Sequence, residues 1–241
     1  MYAQAVSNTA VNTDFKGFAF FHNPGRQPSS GLTAIGSLQR KAPGEILFAE
    51  GDERNSVYEI VRGMVRLVKL LPDGRRQITG FLCAGRLLGL APEGAHVYTA
   101  EAVTEVTLYR YRRAAFDHLV DEVPGFAKRL LTVTSQELRV AQNQMLLLGR
   151  KTATEKVASF LLLIAEQHEG EDGEDILLEV DLPMTRSDIA DYLGLTIETV
   201  SRTLTKLKQD GLIVLLAPNR LKIRDRDLLE ELAAGDGDTI I

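Results

Sequence analysis

The chain of 241 residues contains only one cysteine, Cys83, and no long apolar run. A single cysteine excludes an intrachain disulfide and any multi-cysteine cluster held by one chain. The longest apolar stretch, Ala158 to Ala165, is far shorter than the about 18–20 residues that span a bilayer, so a buried helix is expected there. No basic segment followed by an apolar core opens the chain, which excludes a secretory signal. We therefore expect a cytoplasmic protein with no membrane segment.

The formal net charge is −5, which would argue against a nucleic-acid partner, but the charge is unevenly distributed. Residues 166–181 contain eight acidic residues and no lysine or arginine, whereas residues 184–224 contain seven basic and four acidic residues. A local basic surface is what binding to phosphates requires. With 44% hydrophobic residues, the chain is long enough for one large domain or two modest domains with real cores, and we expect two.

The most informative segment is residues 196–202, Thr-Ile-Glu-Thr-Val-Ser-Arg. On a helix of 3.6 residues per turn, Glu198, Ser201 and Arg202 share one face. We predict that this face is exposed, while Ile197 and Val200 point inward. A carboxylate can accept from cytosine N4, a guanidinium can donate to guanine O6 and N7, and a hydroxyl can contact thymine or phosphate. The segment therefore has the groups that recognise base edges.

The preceding residues predict a helix-turn-helix. Thr185 and Asp188 form a capping box at the start of a short helix, Gly194 provides a sharp turn, and Thr196 caps the next helix. Two apolar runs, at 212–216 and 221–223, predict a hairpin that makes the unit a winged helix. The alternative is an ordinary helical hairpin within a protein core.

Residues 182–204 resemble the DNA-binding domain of the CRP/FNR family of bacterial transcription regulators, and Glu-x-x-Ser-Arg at 198–202 is similar to its FNR and FixK branch. The resemblance implies that Glu198 and Arg202 recognise a guanine–cytosine pair in each half of a TTGAT-N4-ATCAA-like palindrome. It also implies that Ser201 contacts a neighbouring thymine. The residues that we expect to make backbone or secondary DNA contacts are Thr185, Arg186, Thr196, Thr199 and Lys206.

Residues from about 38 to 115 form short alternating runs separated by glycine, which predicts an all-β unit. Two of its strands are predicted at Val103–Val106 and Leu108–Tyr111. The resemblance identifies this unit, at residues 31–120, as a cyclic-nucleotide-binding-like jelly roll. The predicted fold is thus α+β, with the jelly roll followed by a long dimerisation helix and a C-terminal winged helix-turn-helix.

A long helix is predicted over residues 124–148, with Pro124 in its first turn. Apolar and small residues recur on it at intervals of seven, which is typical of a coiled-coil seam. We therefore expect a parallel homodimer, which would match a palindromic site. The alternative is a helix that packs only on its own domain. The predicted seam consists of Ala127, Leu131, Thr134, Leu138, Ala141, Met145 and Leu148.

The remaining boundaries follow from composition and capping signals. Residues 1–30 are expected to be a mobile tail, although a cluster of phenylalanines at 15–21 can dock on the folded body. Residues 121–150 form the dimerisation helix and hinge. A second capping box, Thr152 and Glu155, opens the DNA-binding domain at residues 151–241.

The jelly roll lacks the residues that bind cyclic nucleotides or iron–sulfur clusters in related sensor domains. The resemblance implies an Arg-Ser pair for the phosphate of cyclic AMP, but the stretch Ala91 to Ala100 contains no arginine. A buried phosphate without a guanidinium would be poorly compensated, so we expect no cyclic nucleotide. One cysteine cannot hold the iron–sulfur cluster of oxygen-sensing members. We expect neither a metal nor another cofactor.

Three residues or segments of the jelly roll leave alternatives open. Cys83 is either a buried structural thiol or a redox-sensitive residue. His96 is expected to be a solvated loop residue, with a haem ligand as the alternative. The turn Asp73-Gly74-Arg75 is either a solvated hairpin loop or, as the resemblance implies, a contact with RNA polymerase.

Taken together, these patterns predict a homodimeric DNA-binding regulator. The resemblance implies an activator that exerts FixK-like control over microaerobic, anaerobic or nitrogen metabolism genes. No nucleophile elbow, phosphate-binding loop or metal cluster supports an enzyme. The alternatives are a regulator gated by haem, redox or another small ligand, and a ligand sensor whose C-terminal domain docks on a protein. DNA binding without any additive would favour the effector-free regulator.

Overall fold

The computed structural model describes residues 35–91, 94–123, 125–166 and 179–235. The expected tail at residues 1–30, with its phenylalanine cluster, lies outside these ranges. Within them the chain forms a β domain, a long helix and an α/β C-terminal domain, as the sequence predicted. No helix in the described ranges combines the length and apolar character needed to cross a membrane.

In the described residues the N-terminal domain is a jelly roll of two four-stranded antiparallel sheets, with strand orders β1-β8-β3-β6 and β2-β7-β4-β5. Apolar side chains such as Ile60, Val65, Ala100 and Leu108 fill the space between the sheets. The strands are β1 (Gly36–Lys41), β2 (Ile46–Phe48), β3 (Ser56–Arg62), β4 (Val65–Leu70), β5 (Arg76–Leu82), β6 (Leu87–Leu88), β7 (Thr99–Ala102) and β8 (Val106–Arg112).

The predicted strand at Val103–Val106 is wrong, because residues 103–105 form the turn between β7 and β8. The backbone N–H of Val103 donates to the carbonyl of Met64 over 2.8 Å, and the Met64 N–H donates to the Thr104 hydroxyl over 2.9 Å. These bonds hold the turn against Met64 instead of extending it along a strand. The polar strand β1, which has no buried residue and pairs with β8, was also not predicted.

Helix α1 (Arg113–Glu122) follows β8, and helix α2 (Phe126–Arg150) is the long helix. The boundary expected between residues 120 and 121 therefore falls inside α1. Helix α2 begins two residues later than predicted because Gly125 is its N-cap, in a left-handed conformation with φ 86°. Pro124 lies outside the described residues. One face of α2 packs on the jelly roll through Phe126, Leu130 and other apolar residues.

The C-terminal domain begins with α3 (Ala153–Glu166), which the predicted Thr152 and Glu155 capping box opens. Residues 158 to 165 are nearly all buried in it, as predicted. A three-stranded antiparallel sheet, ordered β10-β11-β9, forms the wing. The other elements are β9 (Glu179–Asp181), α4 (Arg186–Leu193), α5 (Ile197–Gln209), β10 (Ile213–Ala217), β11 (Arg220–Ile223) and α6 (Arg226–Ala234).

One apolar core connects the two domains. It contains Met64, Val68, Ile78 and Phe81 of β4, β5 and the preceding turn, together with the buried residues of α3, α4 and α5. The ring of Phe81 lies 5.4 Å from that of Tyr192 and 6.1 Å from that of Phe160. The outer face of the jelly roll is therefore covered by the helix-turn-helix of the same chain.

Candidate nucleic-acid interface

Helices α4 and α5 form the predicted helix-turn-helix, and local hydrogen bonds set its ends. The Thr185 hydroxyl accepts from the Asp188 N–H over 3.1 Å, and the Asp188 carboxylate accepts from the Thr185 N–H over 3.0 Å, which completes the predicted capping box. Gly194 has φ 62° and ψ 42°, a left-handed conformation that glycine adopts without strain. The Thr196 hydroxyl then accepts from the Thr199 N–H over 3.1 Å and caps α5.

Helix α5 has one buried stripe and one exposed face. Val200, Thr203, Leu204 and Leu207 are buried at helical spacing. Ile197 was predicted to point inward, but 46% of it is exposed. The packed stripe starts only at Val200, so the first turn of α5 extends beyond the contact with the core. The exposed Ile197 presents an apolar group beside the polar face.

Glu198, Ser201 and Arg202 are all exposed, as predicted. The pKa of the Glu198 carboxyl is below its ordinary value, because its own backbone N–H and the Thr196 hydroxyl stabilise the charged form and Arg202 lies nearby. Glu198 is therefore ionised at neutral pH. A carboxylate acceptor, a hydroxyl and a guanidinium donor thus face solvent within about one helical turn, and this is the chemistry that discriminates bases in the major groove.

The five predicted secondary contacts surround this face but differ in their exposure. Thr185, Thr196 and Lys206 are exposed, and Thr199 is half-buried. Arg186 is half-buried because its guanidinium donates to the Pro218 carbonyl of the wing turn over 2.9 Å. Arg186 therefore holds the wing against the start of α4. Its side chain has a structural role that the sequence did not indicate.

The wing itself follows the predicted hairpin. Val214 of β10 pairs with Lys222 of β11, and the Asn219 carbonyl accepts from the Leu182 N–H over 2.7 Å. The Arg220 guanidinium pairs with the Glu179 carboxylate of β9 over 2.6 Å. Because β9 supplies this acidic partner, the wing is less basic than its sequence suggests.

The predicted seam on α2 is exposed along its whole length. Leu131, Leu138 and Met145 are 67%, 60% and 71% exposed. Burial of large apolar side chains is favourable, and a row of them on one helix face is typical of an interface. The other members, Ala127, Thr134, Ala141 and Leu148, are exposed as well. The packing of α2 on its own domain uses the opposite face, so the seam remains available to a second protomer.

The turn at residues 73–75 joins β4 to β5 and is exposed. The Asp73 carboxylate accepts from the Arg75 backbone N–H over 3.0 Å and pairs with its guanidinium over 2.7 Å. These hydrogen bonds lower the pKa of the Asp73 carboxyl. Because β5 packs on α4, the turn lies on the side of the jelly roll that faces the DNA-binding domain.

The expectation that His96 is solvated is wrong. Only 5% of His96 is exposed, and its ring stacks on Phe48 with a centroid distance of 3.7 Å. Burial lowers the pKa of His96, and the charges of Arg54 and Arg113 lower it further, although Asp52 opposes them. The neutral imidazole thus belongs to the jelly-roll core.

We call residues 89–96 the sensor loop; the structure describes residues 89–91 and 94–96. Arg113, at the start of α1, enters this loop and donates to the carbonyls of Gly89, Leu90 and Ala91, the last two over 3.2 and 2.9 Å. Gly89 has φ +76°, and a Cβ there would lie 2.8 Å from the Ser56 carbonyl oxygen. Arg113 therefore supplies the guanidinium that the loop's own sequence lacks. Its donors are already hydrogen-bonded to backbone carbonyl oxygens of the loop.

Cys83 lies in the turn after β5 and packs against the core that connects the domains. Burial raises the pKa of its thiol to about 11. A redox-sensitive thiol needs a thiolate near neutral pH. This environment favours the structural role of Cys83 over the redox role. In the described ranges, no three His, Cys, Asp or Glu side chains are arranged to hold a metal ion.

Comparison with known families matches both halves of this architecture. Residues 38–123 match the cyclic nucleotide-binding domain family, and residues 155–232 match the Crp-like helix-turn-helix domain family. Neither match concerns an enzyme family. The order of the two domains is the order that the sequence predicted.

Individual relatives are similar over most of the chain. The transcriptional activatory protein AadR of Rhodopseudomonas palustris is 44% identical over 81% of this chain and 80% of its own. The nitrogen fixation regulation protein FixK of Bradyrhizobium diazoefficiens is 44% identical over 83% of each chain. The structure of FixK2 from Bradyrhizobium japonicum superimposes with a TM-score of 0.76 at 36% identity, covering 82% of this chain and 97% of that one. The chain therefore belongs to the CRP/FNR family of bacterial transcription regulators and resembles its FixK members.

Proposed function

We propose that this regulator is a FixK-like transcriptional activator that binds as a homodimer to a TTGAT-N4-ATCAA-like palindrome. The observation that carries the proposal is the exposed Glu198, Ser201 and Arg202 face of α5. In each half-site, Arg202 donates to guanine O6 and N7, Glu198 accepts from the paired cytosine N4, and Ser201 contacts a neighbouring thymine. The exposed Ile197 is suited to a thymine methyl group.

The seam on α2 supports two-fold binding. Two protomers joined along Leu131, Leu138 and Met145 present two copies of α5, and the two half-sites lie about one helical turn apart on the DNA. Thr185, Thr196, Thr199 and Lys206 lie where they can contact phosphates, which position the protein without selecting a sequence. Arg186 supports the wing beside them.

Two further parts of the proposal concern control. The names of AadR and FixK describe an activator and a regulator of nitrogen fixation, and we infer control of microaerobic, anaerobic or nitrogen metabolism genes. The exposed turn Asp73-Gly74-Arg75 is the proposed contact with RNA polymerase. The donors of Arg113 are engaged by the sensor loop, so we propose that DNA binding needs no cyclic nucleotide.

The test is DNA binding by the purified full-length protein, measured by fluorescence anisotropy. One duplex carries TTGAT-N4-ATCAA, and the control duplex has the guanine–cytosine pair of each half-site replaced. We expect the palindrome to bind without additives and the control duplex to bind more weakly by about 1–3 kcal/mol for each replaced base pair. Parallel samples contain cyclic AMP, haem or an oxidant. Binding only with one of these would show an effector-gated regulator, and no preference for the palindrome would refute the proposal.

A further inference from the structure

The helix-turn-helix is attached to the jelly roll by a partly buried polar cluster, which includes none of the residues that we propose contact the bases. We call it the interdomain clamp and define it as Arg66, Arg76 and Gln77 of the jelly roll with Asp188 and Asp191 of α4. Arg66 and Asp188 are 122 positions apart in the sequence, yet their side chains are in direct contact. The cluster lies beside the aromatic contact between Phe81 and Tyr192.

Asp188 is the centre of the clamp. Its side chain is only 2% exposed, and both of its carboxylate oxygens lie 3.1 Å from one terminal nitrogen of Arg66. Arg76 donates to the same carboxylate over 2.7 Å. The remaining acceptor positions are occupied by the N–H and hydroxyl of Thr185. A buried carboxylate is stable only when it is compensated in this way, so α4 and the two guanidinium groups must remain together.

The clamp holds both ends of α4. Arg76 also pairs with Asp191 over 2.7 Å, one turn further along the helix. The Gln77 amide donates to the backbone carbonyl of Asp191 over 2.6 Å. Gln144 of α2 donates to the carbonyl of Tyr192 over 3.0 Å. These bonds satisfy carbonyls in the last turn of α4, which have no partner within the helix.

Helix α4 is connected to the recognition helix α5 by the short turn at Gly194, and both share one core. A rotation of α4 on β5 would therefore carry α5 with it. We infer that Arg66 and Arg76 are positioning residues for DNA binding: they hold α4 through Asp188 and Asp191 and so set the orientation of the recognition helix relative to the jelly roll.

The clamp also changes the charge of the DNA-binding domain. Two of the four acidic residues in the basic segment 184–224 are Asp188 and Asp191, and both are paired with arginines from the other domain. Their negative charge is neutralised within the interface between the two domains. The jelly roll thus increases the effective positive charge of a domain to which it contributes no base-contacting residue.

This inference rests on the proposed function, and its test is DNA binding by full-length Arg66→Met and Arg76→Met variants. The substitutions are placed on the jelly roll because Asp188 also caps α4, so replacing Asp188 would affect two structures. Methionine keeps most of the side-chain length and removes the charge and the donors. The matched control is Arg62→Met, a charge removal at an exposed position on β3 of the same domain.

Three duplexes carry the palindrome with spacers of three, four and five base pairs. Each added base pair moves one half-site by about 3.4 Å and rotates it by about 35°. The wild-type protein and Arg62→Met should prefer the four-base spacer. The Arg66→Met and Arg76→Met variants should bind it about tenfold more weakly and discriminate less between spacers. Unchanged affinity and unchanged spacer preference in both variants would overturn the inference.

Two further measurements separate the possible failures. If a methionine variant does not fold, Arg66→Lys and Arg76→Lys replace it, because lysine keeps the charge but not the forked geometry. Weaker discrimination between spacer lengths by these variants again supports the inference. If the wild-type protein binds no duplex, the proposed function fails, and hydrogen exchange of the α4 amides without DNA decides the clamp. Faster exchange in the methionine variants than in Arg62→Met supports it, and equal exchange overturns it.

Discussion

The polar groups of the recognition helix α5 are exposed to solvent, whereas those of the sensor loop make contacts within the protein. On α5, Glu198, Ser201 and Arg202 are directed to solvent. In the sensor loop, Arg113 donates to three backbone carbonyls and His96 stacks on Phe48. Both regions therefore contain a guanidinium, Arg202 on α5 and Arg113 in the sensor loop. Only Arg202 presents its guanidinium to the outside.

This difference explains how one family fold can keep one binding surface and close another. A hydrogen-bond donor that is already satisfied inside the protein gains little from a ligand, because binding must first break the internal bonds. A donor in solvent exchanges water for a base edge and gains specificity. The arrangement supports the proposal that DNA binding needs no cyclic nucleotide, and four variants test the comparison.

The largest loss of DNA affinity is expected from a substitution that separates the two protomers and therefore their two recognition helices. In Leu138→Asp, like charges would face each other across the seam of α2, and the apolar burial would be lost. Sedimentation should show a monomer, and affinity for the palindrome should fall by at least about 100-fold because the second half-site no longer binds intramolecularly. Asn143→Asp, with the same charge change outside the seam, should remain dimeric. A dimeric Leu138→Asp protein would contradict the proposed seam.

The second variant tests whether the exposed guanidinium selects a base. Arg202→Ala should weaken binding to the palindrome by about 1–3 kcal/mol and relax selection at one base pair of each half-site. Lys206→Ala is the comparison. Loss of a phosphate contact weakens binding to all sequences and reduces the slope of log affinity against log salt concentration by about one. Anisotropy against duplexes with every base at that pair measures both. An alanine variant that still selects guanine would remove Arg202 from its assigned role.

The third variant removes the contacts between Arg113 and the sensor loop. Arg113→Met leaves the carbonyls of the sensor loop without their donor, and we expect a loss of about 2 kcal/mol in the free energy of unfolding. Arg112→Met, at the neighbouring exposed position, should change stability little. Urea denaturation measures both. If the two variants are equally stable, the contacts of Arg113 do not hold the loop.

The smallest effect concerns His96 and appears only on acidification. Because the folded protein lowers the pKa of His96 below its unfolded value near 6.5, the unfolded state binds the proton more readily. The contribution of His96 to the free energy of unfolding should be constant above pH 6.5 and fall below it, by at most about 1.4 kcal/mol per pH unit. Urea denaturation of His96→Phe at pH 7.5 and 5.5 should lack this decrease. His118→Gln, at an exposed position of α1, should retain it, and identical pH dependence in all three proteins would place His96 in solvent.

The helix-turn-helix could be predicted in detail because its signals are local. Thr185, Gly194 and Thr196 each act on residues within one or two turns, and the structure confirms their conformations. The exposed row of residues on α2 was predictable for the same reason, since its residues recur on a single helix; its role as a dimer seam stays a prediction. The prediction for Ile197 was wrong because periodicity shows which side of a helix is apolar but not where the facing core ends.

The parts that sequence reasoning missed depend on residues that are distant along the chain. No feature of the sensor loop's own sequence indicates that Arg113 fills it, and the loop histidine His96 is buried only because Phe48 packs on it. The turn at residues 103–105 was predicted as a strand because its valine and threonine favour strands. Its hydrogen bonds to Met64 decide otherwise.

The sequence by itself determined the family fold, the two-domain order and the exposed polar face of α5, because caps, turns and hydrophobic periods act over a few residues. Only the tertiary structure decided that the sensor loop is closed by Arg113 and that Asp188 joins α4 to Arg66 and Arg76. A buried carboxylate and its guanidinium partners can be far apart in the sequence, since their interaction depends on distance and burial in the folded protein. For this reason the residues that we propose contact the bases could be selected from the chain, whereas the residues that we propose position them became visible only in the fold.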